Sequence, residues 1–200
     1  MVVTTLETRD LELAHRIAAG DEAAASELVG RLAGEMYGHA VRMLRDTQAA
    51  EDVVQETLLA MLQGIERYDG RTSLRAWGYG ILRHKILDAL RRRRREPVLA
   101  DVDPERDSFT PAGGWREADF RPWNEEAETL RVVEECLDRL PLPQREALEL
   151  FALEGVPGKE AAEALGVSHA NFRQILHRAR AAMRRCVDQK MGHEPEERPS

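Results

Sequence analysis

From Leu11 to about Arg95, apolar residues recur every three or four positions, and this spacing most constrains what the chain can fold into. It predicts amphipathic α-helices, because residues three and four apart lie on one face of a helix. The pattern fails from Glu96 to about Asn124, where proline, glycine and acidic residues are mixed, and it returns at Leu130. Aromatic residues, which favour strands, are only 5% of the chain. The sequence therefore predicts two small helical domains separated by a linker.

Turn and capping residues divide the first helical stretch into long helices. Asp21 is expected to cap one helix, and Asp46 with Thr47 to end it and begin the next. The turn from Tyr68 to Ser73 then precedes a third helix, capped by Thr72 or Ser73. The apolar positions of that helix are Leu74, Trp77, Ile81, Leu82, Ile86 and Leu90, so Trp77 is expected in the core. Gly78 and Gly80 lie inside it, where glycine either permits a close backbone approach or weakens the helix.

The formal net charge of −7 argues against a nucleic-acid partner until it is divided along the chain. Residues 1–95 hold 15 basic and 14 acidic residues, residues 96–128 hold 3 and 10, and residues 129–200 hold 11 and 12. The acidic excess therefore lies in the linker, and the flanking segments are nearly neutral with local basic clusters. Only three lysines occur among 29 basic residues, so part of the arginine excess reflects composition.

Several classes of protein are disfavoured by what the sequence lacks. No basic patch followed by an apolar run opens the chain, and no apolar stretch approaches the ~20 residues that span a bilayer. Cys136 and Cys186 are far apart without a Cys-x-x-Cys motif, which favours two half-buried thiols in a reducing cytoplasm over a disulfide or a zinc site. No cofactor, metal site or catalytic constellation is expected.

The most specific motif runs from Gly158 to His177. Ala161, Ala162 and Leu165 give a short helix its packing face, Gly166 suits a turn with positive φ, and Ser168 can cap the next helix. Val167 would plug the turn, and an inward stripe then follows at helical spacing: Phe172, Ile175, Leu176, Ala179 and Met183. This arrangement predicts a helix-turn-helix.

The opposite face of the second helix carries side chains that read base edges in the major groove. These candidates are Ser168, His169, Asn171, Arg173, Gln174, His177 and Arg178. The full expectation is an all-α fold with an N-terminal helical bundle (1–95), an acidic extended linker (96–126), a C-terminal helix-turn-helix domain (127–191) and a disordered tail (192–200).

Two groups of residues together resemble a known family. The stretch from Pro157 to Ser168, followed by Leu176-His177-Arg178-Ala179-Arg180, resembles the fourth conserved region of sigma-70 factors, most of all the extracytoplasmic-function (ECF) group. Ala50 to Leu58, Ser73 to Trp77 and Ile86 to Arg95 resemble the second conserved region. The resemblance covers nearly all of residues 11–186 and implies a factor that binds core RNA polymerase, directs it to promoters and assists promoter melting.

The resemblance also implies site residues. Asp52, Gln55 and Glu56 would bind the coiled coil of the largest catalytic subunit of polymerase, and the C-terminal domain would meet the flap. The helix-turn-helix would bind the −35 element. A second set would hold the non-template single strand of the −10 element: Tyr68, Asp69, Arg71, Thr72, Arg75, Arg83, His84, Lys85, Arg91 and Arg92. An anti-sigma protein is a possible further partner, no membrane insertion is expected, and the protein would be cytoplasmic.

The linker has a mechanical role in this interpretation. The family's two promoter elements are roughly two duplex turns apart, ~70 Å. Residues 96–128 would average ~30 Å as a random coil and reach ~110 Å when fully extended. The linker must therefore be held extended when both domains are on DNA, and its acids could occupy the path of RNA.

Two other interpretations remain open from the residues. A free-standing helix-turn-helix regulator would bind duplex without polymerase and show no preference for single strands. A helical hydrolase could use His84 and Asp88, which are four residues apart, although chance also supplies such a pair.

Overall fold

The computed structural model describes residues 3–94 and 127–191, and within these ranges the chain forms helices and turns but no strand. The first range contains α1 (Val3–Ala18), α2 (Glu22–Leu44), α3 (Thr47–Gly64), a 3-10 turn (Ile65–Arg67) and α4 (Leu74–Arg94). The second contains α5 (Ala127–Asp138), α6 (Leu142–Leu148), a π-helical turn (Glu149–Leu153), α7 (Gly158–Ala164) and α8 (His169–Met191). The all-α class is confirmed. The predicted linker, the predicted tail and Arg95 lie outside the described residues.

The described residues form two compact units. The first contains residues 3–94 together with residues 149–173, and the second contains residues 127–148 together with residues 174–191. Helix α8 contributes to both. In the first unit, α4 packs against α2, α3 and α7, so a stretch from late in the sequence completes the N-terminal bundle.

Short polar side chains begin the helices where the sequence predicts. The Asp21 carboxylate accepts hydrogen bonds from the N–H groups of Ala23 and Ala24 at 2.9 and 3.1 Å, at the start of α2. Asp46 caps α3 in the same way. For α4 the cap is Ser73 rather than Thr72, since Ser73 Oγ accepts a hydrogen bond from the N–H of Ala76 at 3.2 Å.

The buried face of α4 differs from the predicted one at an important position. Trp77 is half-buried, so its predicted place in the core is wrong, and Tyr79 is buried instead with 2% of its surface exposed. The reason is that α4 packs against helices on more than one side. Apolar spacing describes a helix with a single buried stripe, and it therefore misplaces residues on a helix that is buried on two sides.

Gly78 permits a close approach of the α4 backbone to its neighbours. This was one of the two alternatives that the sequence left open for the glycines of α4. A Cβ atom at this position would lie 2.4 Å from Met36 Cε and 2.8 Å from Met61 Sδ. Both methionines are fully buried. The glycine therefore lets α4 approach α2 and α3 closely, at the cost in helix propensity that glycine carries.

The two cysteines form a disulfide in the second unit, so the prediction of separate thiols is wrong. Cys136 of α5 and Cys186 of α8 are joined with a Cα–Cα distance of 5.8 Å. An ion pair between Glu135 and Lys190 connects the same two helices. The pairing depends on how α5 and α8 lie side by side, which a separation of 50 residues in sequence does not indicate.

Candidate nucleic-acid interface

The turn between α7 and α8 has the predicted geometry. Gly166 has a φ of +69°, in the region that favours glycine. The N–H of Val167 donates to the carbonyl of Ala162 at 3.0 Å, and Ala162 is buried, so a small residue stands where the helices approach. Ser168 Oγ accepts a hydrogen bond from the N–H of Asn171 at 3.2 Å and caps α8. The helix-turn-helix therefore rests on local bonds at the positions that the motif predicts.

Helix α8 divides into an inner and an outer face. The predicted inward residues are all buried: Phe172, Ile175, Leu176, Ala179 and Met183. Of the predicted outward residues, Ser168, His169 and His177 are exposed, and Asn171, Arg173, Gln174 and Arg178 are half-buried. The outer face thus presents amide, imidazole and guanidinium groups along about three helical turns. A helix face of this length can lie in a major groove.

The predicted polymerase-binding residues share one exposed face of α3. Asp52, Gln55 and Glu56 are all exposed and stand three or four residues apart. Lys85 of α4 donates to the Glu56 carboxylate at 2.8 Å, and this hydrogen bond lowers the pKa of the Glu56 carboxyl. Leu59 continues the face with 57% of its surface exposed. Sequence spacing missed Leu59 because the neighbouring Leu58 is the one that fills the buried stripe.

A cavity of about 400 Å³ lies at the start of α4. Five of the residues predicted to hold single-stranded DNA line it, together with α4 and α7 residues that were not predicted. These residues are Tyr68, Asp69, Arg71, Thr72 and His84 from the predicted set, and Trp77, Gly80, Ile81, Glu163 and Ala164 among the others. The structure therefore brings half of the predicted set to one place.

The walls of this cavity combine aromatic rings and cations. The centroids of the Tyr68 and Trp77 rings are 5.5 Å apart, and the Tyr68 hydroxyl donates to the carbonyl of Thr72 at 2.5 Å. Arg71 pairs with Asp69 at 2.8 Å but keeps 82% of its side chain exposed. His84 Nδ1 lies 2.7 Å from the carbonyl of Gly80. Trp77, Ile81 and His84 have the spacing of one helix face, which is a signal that the sequence contained.

The other five predicted residues point elsewhere. Arg75 Nε donates to Glu35 at 2.7 Å, and Lys85 is engaged by Glu56. Arg91 pairs with Asp88 at 3.0 Å, and Arg92 Nε lies 3.4 Å from the Asp88 carbonyl. Arg83 is half-buried outside the cavity lining. Arg91, Arg92 and Arg93 are exposed near the end of α4, where phosphates could reach them.

Across residues 3–94 and 127–191, no helix combines the length and apolar character that crossing a membrane needs. Within the same ranges, no three His, Cys, Asp or Glu side chains group as ligands for a metal ion.

Comparison with known proteins identifies the family to which the chain belongs. The family models "Sigma-70 region 2" and "Sigma-70, region 4" match residues 13–96 and 130–183. The ECF RNA polymerase sigma factor EcfG of Rhodopseudomonas palustris is 31% identical over 144 residues, 72% of this chain and 74% of that protein. The ECF RNA polymerase sigma factor SigM of Bacillus subtilis is 27% identical over 150 residues, 75% of this chain and 86% of that protein.

The structure of CnrH in complex with the cytosolic domain of CnrY has 27% sequence identity and a TM-score of 0.63, and the match covers 90% of this chain and 97% of CnrH. The shared fold agrees with the sequence relatives. The chain belongs to the sigma-70 family, as an ECF sigma factor that acts with RNA polymerase in promoter-specific transcription initiation.

Proposed function

We propose that this chain binds core RNA polymerase through α3 and contacts promoter DNA through two separate surfaces. The outer face of α8 binds the −35 element as duplex, and the cavity at the start of α4 holds the non-template strand of the −10 element. The observation that carries the proposal is this cavity, where two aromatic rings and three basic side chains, Arg67, Arg71 and His84, meet.

The cavity suits a base that has left the duplex. An extruded base needs a pocket, a ring to stack on and nearby cations for the phosphates. Trp77 is half-buried and keeps part of its ring accessible, whereas the neighbouring Tyr68 ring, 5.5 Å away between centroids, is only 8% exposed. Arg71 and His84 are exposed at the cavity wall. The exposed arginines at the end of α4 extend this cationic path along the strand.

The outer face of α8 suits base reading in a duplex. Asn171 and Gln174 carry amides, which can bond adenine through two hydrogen bonds, and Arg173 and Arg178 can bond guanine or phosphate. Their half-burial restrains the side chains, so fewer rotamers are lost on binding.

The exposed face of α3 suits a basic helical partner. Asp52 and Glu56 offer carboxylates, Gln55 offers an amide, and Leu59 adds an apolar contact. The family resemblance identifies the partner as the coiled coil of the largest catalytic subunit, with the flap meeting the C-terminal domain. A basic side chain of polymerase would compete with Lys85 for Glu56.

The chain acts in this proposal as a dissociable specificity subunit in the cytoplasm, and the catalytic chemistry belongs to the polymerase. The relative CnrH was solved with a second protein bound, the cytosolic domain of CnrY. This supports an inhibitory protein partner of the anti-sigma kind for the present chain as well.

The deciding experiment mixes the purified chain with sigma-free core polymerase and measures complex formation and transcription from a promoter library. We expect a stable complex and a defined set of start sites. Asp52→Ala with Gln55→Ala should weaken the complex, whereas Glu12→Gln on the exposed surface of α1 serves as a control. Duplex binding without polymerase, and no complex with core, would instead indicate a free-standing regulator.

A further inference from the structure

Residues 68–73, which we call the −10 turn, connect the 3-10 turn to α4 and supply part of the cavity wall. The Tyr68 hydroxyl donates to the carbonyl of Thr72 at 2.5 Å, and Asp69 Oδ1 accepts a hydrogen bond from the N–H of Arg71 at 3.2 Å. Each of these bonds joins two residues of the turn itself. They therefore shape the turn, but they do not attach it to the helices around it.

The tip of the −10 turn rests on a leucine of α1. Gly70 has a φ of +73°, in the region that favours glycine. A Cβ atom at this position would lie 2.8 Å from Leu11 Cδ2 and 2.9 Å from both Cδ1 and Cγ of the same side chain. The leucine therefore fills the space that a side chain at residue 70 would need, and it supports the turn from the side of α1.

The residue before Leu11 holds the end of the same turn. Asp10 Oδ2 accepts a hydrogen bond from the N–H of Leu74, which follows the turn, at 2.8 Å. Arg31 donates to the other oxygen of the carboxylate at 3.2 Å, and the aspartate is buried, so the carboxylate is held in one orientation. Helix α1 also packs against the 3-10 turn that precedes Tyr68. One helix therefore contacts the tip of the −10 turn and the chain on either side of it.

We propose that Asp10 and Leu11 are positioning residues for the −10 element: they hold the −10 turn in the shape that receives an unstacked base, and so contribute to the choice of that base. The inference rests on the function proposed above, because the cavity beside the turn is the one assigned to single-stranded DNA. Neither residue lines that cavity. Both act through the turn, without touching the DNA.

Support from α1 matters because a binding pocket discriminates only while its walls keep their places. A wall that yields lets a wrong base fit almost as well as the right one, and a loose turn must also be ordered when DNA binds. The tip of the −10 turn is held by packing on Leu11 and its end by the bond to Asp10. Loosening either contact should therefore reduce the difference in affinity between right and wrong bases.

The test measures base selectivity with the full chain bound to core polymerase. A randomised pool of single-stranded oligonucleotides first gives the sequence that the wild type prefers, and fluorescent copies with one base replaced are then compared with it. Selectivity is the ratio of the two affinities. We expect it to fall by about fivefold in Leu11→Ala and in Asp10→Asn, because the groups that contact the base remain but are no longer held in place.

Two matched variants separate positioning from a general loss of packing. Leu11→Met conserves the volume of the side chain and should keep the wild-type selectivity. Ile17→Ala truncates another half-buried apolar side chain of α1, about 9 Å further along the helix axis, and should also leave selectivity unchanged.

Gly70→Ala changes the same contact from the side of the turn. It should reduce selectivity, because the new Cβ displaces the Leu11 side chain. In the Leu11→Ala background that space is open, so the further loss caused by Gly70→Ala should be smaller. The backbone strain of alanine at a positive φ is present in both backgrounds and cancels, so the difference measures the contact between the two residues.

Circular dichroism identifies any variant that fails to fold, and Gly70→Ala then decides in place of Leu11→Ala. Unchanged selectivity in the folded variants would overturn the positioning role. Equal losses of affinity for the preferred and the altered oligonucleotides would overturn it as well, because a loss of stability alone weakens all binding alike. Failure of the wider function appears separately and in the wild type, as no complex with core polymerase or no preferred sequence, and it would overturn this inference too.

Discussion

The carboxylate of Asp10 in α1 accepts a hydrogen bond from the backbone N–H of Leu74, the first residue of α4, at 2.8 Å. Its other oxygen accepts a hydrogen bond from Arg31 at 3.2 Å, and the residue is buried. Ser73 caps the same helix end locally, so α4 begins with two acceptors, one of them supplied from 64 residues earlier. A negative charge at the positive end of a helix is favourable, more so when water is partly excluded. Asp10 therefore couples α1 to the helix that carries the cavity.

Asp10→Ala should lower the free energy of unfolding by about 2 kcal/mol, because it removes a helix cap and leaves the N–H of Leu74 buried without its acceptor. Asp10→Asn should lower the free energy of unfolding by about half as much, since the amide oxygen still accepts a hydrogen bond but the charge is absent. Urea denaturation followed by circular dichroism measures both. Glu12→Ala on the same helix is exposed and serves as the control. An Asp10→Ala variant as stable as the control would show that Ser73 caps α4 alone.

Replacing each of the two glycines of α4 with alanine should change the stability of the protein in opposite directions. Gly80→Ala should stabilise the protein by about 0.5–1 kcal/mol, because alanine is the better helix former and the new Cβ makes only an ordinary contact with Ala164. Gly78→Ala should destabilise it by about 1 kcal/mol, because overpacking against buried methionines outweighs the same gain. Thermal melts of the two variants provide the comparison. Equal shifts of the same sign would contradict the close packing at Gly78.

Reduction of the disulfide should lower the stability of the second unit. A disulfide between Cys136 and Cys186 closes a loop across 50 residues of sequence, and loop-closure entropy then gives a contribution of about 4 kcal/mol. Adding a thiol reductant, or substituting both cysteines with serine, should lower the urea midpoint by a corresponding amount. The serine variant should no longer respond to the reductant. A midpoint that reductant does not change would mean that the two thiols are separate in solution.

Features that depend on residues close together in the sequence could be predicted from the sequence. The inner face of α8 and the turn at Gly166 were predicted correctly, because helical spacing and backbone preference are local properties. Asp21 and Asp46 were predicted as caps for the same reason. The sequence signal and the structural cause lie within a few residues of each other in each case.

Long-range contacts account for what sequence reasoning missed. The Cys136–Cys186 pair, the cap from Asp10 and the binding of Glu154 by Arg42 join residues between 50 and 112 positions apart. No local pattern encodes which helices lie side by side. Trp77 was misplaced because a helix contacted on two sides does not show a single stripe. Arg75 was expected to face DNA, and its sequence neighbours do not reveal that Glu35 and Glu154 hold it in this structure.

Trp77→Ala should lower the affinity for single-stranded −10 DNA by about tenfold, because stacking of one base on an aromatic ring contributes ~1–3 kcal/mol. Fluorescence anisotropy of a labelled oligonucleotide, measured with the chain bound to core polymerase, gives the affinity. Tyr37→Ala serves as the aromatic control, since Tyr37 is half-buried on α2 and does not line the cavity. Equal losses of DNA affinity in the two variants would contradict the stacking of a base on Trp77.

Substitutions on α8 should separate base reading from phosphate attraction. Gln174→Ala should relax selectivity at one position of the −35 element, because one bidentate amide contact discriminates against a wrong base by about 1–3 kcal/mol. Arg184→Ala, at an exposed position further along α8, should instead weaken binding to all sequences equally and reduce the salt dependence by about one ion. Selection from a randomised −35 library by the holoenzyme, repeated at several salt concentrations, distinguishes the two effects. If Gln174→Ala weakened every sequence equally, the outer face of α8 would be holding the backbone of the duplex rather than reading its bases.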